Sequence, residues 1–129
     1  MQKIFLTLII LFLILHTTLT AQTEPKIADE SPPLPPTQLA AIALDGAVQL
    51  RWKNSPDQNT RGYLVYYGTV SDDYLDKDAI LEFSPIDAGK KNIIYIDGLK
   101  NGTLYYFRVA AYTSHVGELS REVRSRPLQ

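Results

Sequence analysis

The sequence predicts an all-β protein, a seven-stranded antiparallel β-sandwich. Three observations carry that expectation. Short stretches alternate apolar and polar residues with period two, as in Val48-Leu50-Trp52 and Tyr63-Val65-Tyr67. Turn-prone pairs separate them, among them Asp45-Gly46, Asp97-Gly98 and Asn101-Gly102. Helical spacing of apolar residues is nowhere sustained, and 72–81 is the one stretch where a turn of helix fits. Period two with frequent turns is the pattern of half-buried strands joined as antiparallel neighbours.

The N-terminal part stands apart. Residues 1–21 read as a signal peptide: Lys3 supplies the positive charge, Ile4 to Leu15 is apolar except for Thr7, and a short stretch of threonines leads to Ala21. The apolar core is short for a bilayer span, which needs about 20 residues. An uncleaved anchor is the alternative, and only then would the protein be held at a membrane. Residues 22–35 read as a proline-rich tether, since Pro25, Pro32, Pro33 and Pro35 fix φ and remove donors.

Residues 36–127 are read as the folded domain. Leu39, Ala41 and Ala43 alternate in a first strand, and Asp45-Gly46 is a hairpin signal. Val48, Leu50 and Trp52 alternate in the second, with Gln49 and Arg51 outward. A polar stretch from Lys53 to Arg61 leads to the third, where Tyr63, Val65 and Tyr67 face one side and Leu64 and Tyr66 the other. A fourth, edge strand is expected over 80–86, ending near Pro85, because proline is tolerated at sheet edges. Asp87 to Lys90 reads as a turn. Ile94 and Ile96 point inward around Tyr95 in the fifth strand.

The sixth strand organises the rest. Tyr105, Phe107, Val109 and Ala111 share one face; Leu104, Tyr106, Arg108, Ala110 and Tyr112 share the other. Leu99, a Gly102-Thr103 turn and then Tyr105 entering a strand form the pattern of a tyrosine corner, whose hydroxyl reaches back to upstream backbone. Ser114 to Glu118 is expected as a loop, and Leu119 to Arg126 as the last strand.

Composition excludes several functions. Thirteen basic residues against fourteen acidic ones give no basic excess for nucleic acid or anionic membrane. The absence of cysteine excludes disulfides, thiolate metal sites and a cysteine nucleophile. Ser114 beside His115 is not expected to be catalytic, because neighbours on extended chain point to opposite faces. Asp72, Asp73, Asp76 and Asp78 lack the spacing of a calcium loop, and Lys77 sits among them. Asn101-Gly102-Thr103 is a glycosylation sequon that turn chemistry already explains.

Together these residues resemble the fibronectin type III domain, an immunoglobulin-like sandwich. The carriers are Pro35-Pro36 before the first strand, Trp52 ending the second, the Tyr63-Val65-Tyr67 strand, and Leu99, Gly102, Thr103, Tyr105, Val109 and Ala111. Asn101 stands where the pattern usually has proline. The resemblance implies that Trp52 lies between the sheets and Tyr105 is the corner tyrosine. With Tyr63, Val65, Tyr67, Leu99, Phe107 and Val109 these make the expected core. It also implies that the third and sixth strands are neighbours. Leu64, Tyr66, Tyr106, Arg108 and Tyr112 would then form one outward patch, a candidate surface for an unknown protein or glycan partner. The Arg-Gly-Asp adhesion tripeptide of some family members is absent before the last strand. The expectation is a non-catalytic, exported interaction or spacer module with no cofactor. The alternative is an accessory module of an extracellular carbohydrate-active enzyme.

Overall fold

The computed structural model describes residues 31–73 and 84–129. The segment read as a signal peptide and most of the tether lie outside the described residues, as do Asp76 and Asp78. Eight strand segments are described: β1 (Thr37–Leu44), β2 (Ala47–Lys53), β3 (Gly62–Gly68), β4 (Ile86–Gly89), β5 (Ile93–Ile96), β6 (Tyr105–Tyr112), β7 (Val116–Leu119) and β8 (Val123–Ser125). They form two antiparallel sheets. One has the order β1-β2-β5; in the other β4, β3, β6 and β7 follow one another, and β8 also pairs with β6.

The inward faces of the two sheets make one core. Val48, Leu50 and Trp52 from β2 meet Tyr63, Val65 and Tyr67 from β3 and Tyr105, Phe107, Val109 and Ala111 from β6, with Ile96 and Leu99 beside them. Leu39, Ala41 and Ile94 pack against this cluster. Trp52 meets Tyr63 edge-on at 5.6 Å between ring centroids, and Tyr67 stacks on Phe107 at 6.2 Å. Both are favoured aromatic geometries.

Four features depart from the sequence expectation. The last strand is broken into β7 and β8. At the break Ser120 turns its side chain inward, and its Oγ accepts the Val109 amide at 3.0 Å in place of a continuous ladder. The seventh strand is therefore one strand in two pieces. The stretch expected as the edge strand, 80–86, lies outside the described residues over 80–83; where a turn was expected over 87–90, β4 instead pairs Ile86 with Val65 and Asp87 with Leu64, and the turn falls later, where the Lys91 amide reaches Ala88 O. The loop after β6 is short, because Val116 already pairs with Tyr112. Ala110, expected outward, is fully buried. It sits in a central strand between Leu64 and Leu119, and its methyl group is too short to reach solvent past them.

The proline segment is folded onto the sandwich before β1 begins. Pro33 and Pro36 are buried, and the Leu34 amide donates to Asp57 Oδ2 at 2.6 Å. Gly117 allows the close approach, since a Cβ there would collide with Pro33 O and lie 3.2 Å from Ala111 O. Gln38 then takes a positive φ of 54° where the β1–β2 register shifts, a bulge that re-aims the chain into the sheet.

Candidate interaction surfaces

The turn before β6 is a hub of backbone hydrogen bonds. The Tyr105 hydroxyl accepts the Lys100 amide at 2.9 Å. The Leu99 amide donates to Gly46 O and the Gly102 amide to Pro127 O. Asn101, the sequon residue, uses both ends of its amide: Oδ1 accepts from the Gly46 amide and Nδ2 donates to Asp45 Oδ1, each at 2.7 Å. The Asp45-Gly46 hairpin and the turn before β6 are thus tied together by one side chain. A glycan on Asn101 would replace one hydrogen of the Nδ2 that donates to Asp45.

On the outer face of the larger sheet, register brings Leu64, Tyr66, Tyr106, Arg108 and Tyr112 together. Tyr66 lies opposite Arg108, Gly62 opposite Tyr112 and Gly68 opposite Tyr106. The two tyrosines at the ends of β6 therefore face glycines. The Tyr112 ring lies over Gly62 so closely that a Cβ there would be 2.5 Å from its hydroxyl. This covers a residue that otherwise weakens a strand.

All five patch residues are half-buried. The polar ends of Arg108 and Tyr112 are bound within the molecule. The Tyr112 hydroxyl lies 3.1 Å from both carboxylate oxygens of Asp87 on β4. Arg108 pairs with Asp72, lies 3.9 Å from Glu122 and donates to Ser120 O at 3.4 Å. Glu122 in turn accepts from the Ser71 hydroxyl and the Asp72 amide. Partial burial, and then the hydrogen bond and charge of Asp87, push the Tyr112 phenol above the ordinary tyrosine value. Burial alone raises that of Tyr66.

The outer face of the smaller sheet is different in kind. Ile42, Leu44, Ile93 and Tyr95 are exposed there, Tyr95 by 59%. Ile42, Gln49 and Tyr95 form a row across β1, β2 and β5, and Gln49 Nε2 donates to the Tyr95 hydroxyl at 2.6 Å. Sequence reasoning assigned no function to this face. The signal was present in the alternation of β1 and β5, which places Ile42 and Ile93 opposite to the inward set.

The remaining candidates separate on geometry. Ser114 Oγ and His115 Nδ1 are 3.1 Å apart, not on opposite faces, because the chain turns there: the Thr113 amide donates to His115 O. Both are exposed at the tip of that turn. Asp72 is engaged by Arg108. No group of three or more His, Cys, Asp or Glu suited to a metal ion occurs among the described residues.

Comparison with known proteins agrees with this geometry. The sequence profile described as fibronectin type III domain matches residues 34–126. No curated protein matches the sequence. Among solved structures, a Fn3-like protein from Clostridium thermocellum superposes with a TM-score of 0.59 at 25% identity, over 77% of this chain and 97% of that one. The fn3 domain of human contactin 1 superposes with a TM-score of 0.66 at 16% identity, over 85% of this chain and 90% of that one. The chicken CNTN1 FN1-FN3 domains give a TM-score of 0.65 at 19% identity over 78% of this chain, which spans only 33% of theirs. With the tyrosine-corner bond, the two-sheet topology and the match over most of its length, this chain belongs to the fibronectin type III family.

Proposed function

We propose that this chain is a non-catalytic, exported module that works by contact or spacing at the cell surface, in the periplasm or outside the cell. Fibronectin type III domains are modules of protein interaction and structural spacing. The observation that carries the reading is how the side chains of the central strand β6 are used. Its inward rings fill the space between the sheets, and its outward Arg108 and Tyr112 are bound to Asp72 and Asp87. Catalysis requires a cleft with convergent, available polar groups, and this strand supplies none. The half-buried outer face that results suits contact with a protein or glycan surface.

Export rests on the N-terminal sequence. A short apolar run behind Lys3, followed by a proline-rich segment, supports a secreted module set on a spacer. Cross-linking in the host cell followed by mass spectrometry tests the functional reading. Cross-links from lysines of the sandwich to an envelope or extracellular protein are expected. Turnover of a substrate by the purified protein alone would overturn it.

A further inference from the structure

We propose that β5 is a pairing edge for a second copy of this chain, joining two smaller sheets into one continuous sheet through a fixed register. This goes beyond the functional reading above and does not depend on export.

β5 ends its sheet: among the described residues β2 lies on one side and no strand on the other. Hydrogen-bonded pairs alternate along an antiparallel ladder. The Trp52 amide donates to Asn92 O, so Asn92, Ile94 and Ile96 are the residues whose backbone faces β2. The amides and carbonyls of Ile93 and Tyr95 therefore point to the open edge. The same two residues carry exposed side chains, 48% and 59% accessible. The run Asn92-Ile-Ile-Tyr-Ile96 holds no charge, proline or glycine. Proteins usually blunt such an edge with those residues.

The flanking charges select the occupant. Lys91 precedes the run and Asp97 ends it, and both are exposed. Two copies can pair antiparallel through the free groups of Ile93 and Tyr95 in only a few registers, because odd-numbered residues must oppose odd-numbered ones. With Ile93 opposite Tyr95 of the second copy, Ile94 lies on the two-fold axis and Lys91 falls opposite Asp97. Slipping by two residues sets Lys91 against Tyr95 in one direction and against Leu99 in the other. The register that pairs the charges also keeps Ile93 and Tyr95 together on the outer face, continuous with Ile42. A cross-strand opposite-charge pair adds to such a ladder, and like charges oppose it. The interface is small, so the association is of the weak, transient class.

Sedimentation equilibrium on the protein purified as its cell produces it, from roughly 10 μM to 1 mM, tests this. The unaltered chain is expected to show a reversible monomer–dimer equilibrium. Lys91→Glu and Asp97→Lys each set like charges opposite one another twice per dimer, and each is expected to weaken association about tenfold. The two single variants mixed in equal amounts should form a heterodimer, since every facing pair is then complementary. The double variant should recover self-association. Circular dichroism melting separates loss of pairing from loss of fold. A chain monomeric at 1 mM, self-association of both single variants as strong as that of the unaltered chain, or failure of the mixed variants to associate would each overturn the proposal.

Discussion

The Tyr105 hydroxyl accepts the amide of Lys100, five residues upstream, at 2.9 Å. That bond fixes the entry of the central strand. It sets Phe107 and Val109, both fully buried, in register with Tyr67 and Val65. Replacing Tyr105 by Phe keeps the ring and removes the acceptor from a part-buried amide. A loss of about 1–2 kcal/mol is expected, read as a lower urea midpoint with an unchanged slope.

Asn101 joins two turns 55 residues apart in sequence through its bond from the Gly46 amide. Asn101→Ala breaks both of its bonds at once. The expected cost is about 1–2 kcal/mol in urea unfolding. Amide exchange should rise at Gly46, while the amides of β6 remain protected.

Gly62 and Tyr112 form a coupled pair. Gly62→Ala puts a methyl group where the ring lies, so the ring must swing off the strand and give up Asp87. Alone the substitution should destabilise by about 1 kcal/mol. In a Tyr112→Ala background it should cost nearly nothing, because the space is then empty. A double-mutant cycle measures that difference.

Gly117 holds the end of the tether against the sandwich. Gly117→Ala would drive backbone into backbone at Pro33, and the cheapest relief is release of the proline segment. Limited proteolysis should then cut between Ser31 and Pro36 several times faster than in the unaltered chain, with the melting temperature lowered only slightly.

Alkaline pH probes the tyrosines. Burial raises the phenols of Tyr66, Tyr67 and Tyr112 above 10.0, with Tyr105 adding to Tyr67 and Asp87 to Tyr112. The folded chain holds these protons more tightly than the unfolded one. Stability from this source is complete below the ordinary tyrosine value and is lost as pH rises through the shifted values. The urea midpoint should fall above about pH 10. It should fall less steeply in Tyr112→Phe, which has one fewer shifted phenol.

The inner faces of the sandwich were legible in the sequence because burial imposes period two, and Trp52, Tyr63, Phe107 and Val109 keep it strictly. The tyrosine corner was legible because one hydroxyl, a fixed spacing and a turn define it. Two kinds of feature were not. The break in the last strand depends on Ser120 reaching the Val109 amide, and nothing local to Ser120 announces a partner 11 residues earlier. The contrast between the two outer faces was also hidden. Alternation tells which residues point out; it does not tell that Arg108 and Tyr112 find Asp72 and Asp87, which sit far from them in sequence, while Ile93 and Tyr95 stay uncovered. Contacts between segments distant in sequence decide that, and they depend on strand order rather than on local pattern.

The most direct test of the functional account is the intact mass of the protein recovered from fractionated host cells. The account predicts a chain found outside the cytoplasm and beginning near Gln22, with the proline segment and the whole sandwich retained. A chain recovered from the cytoplasm with Met1 still in place would contradict it.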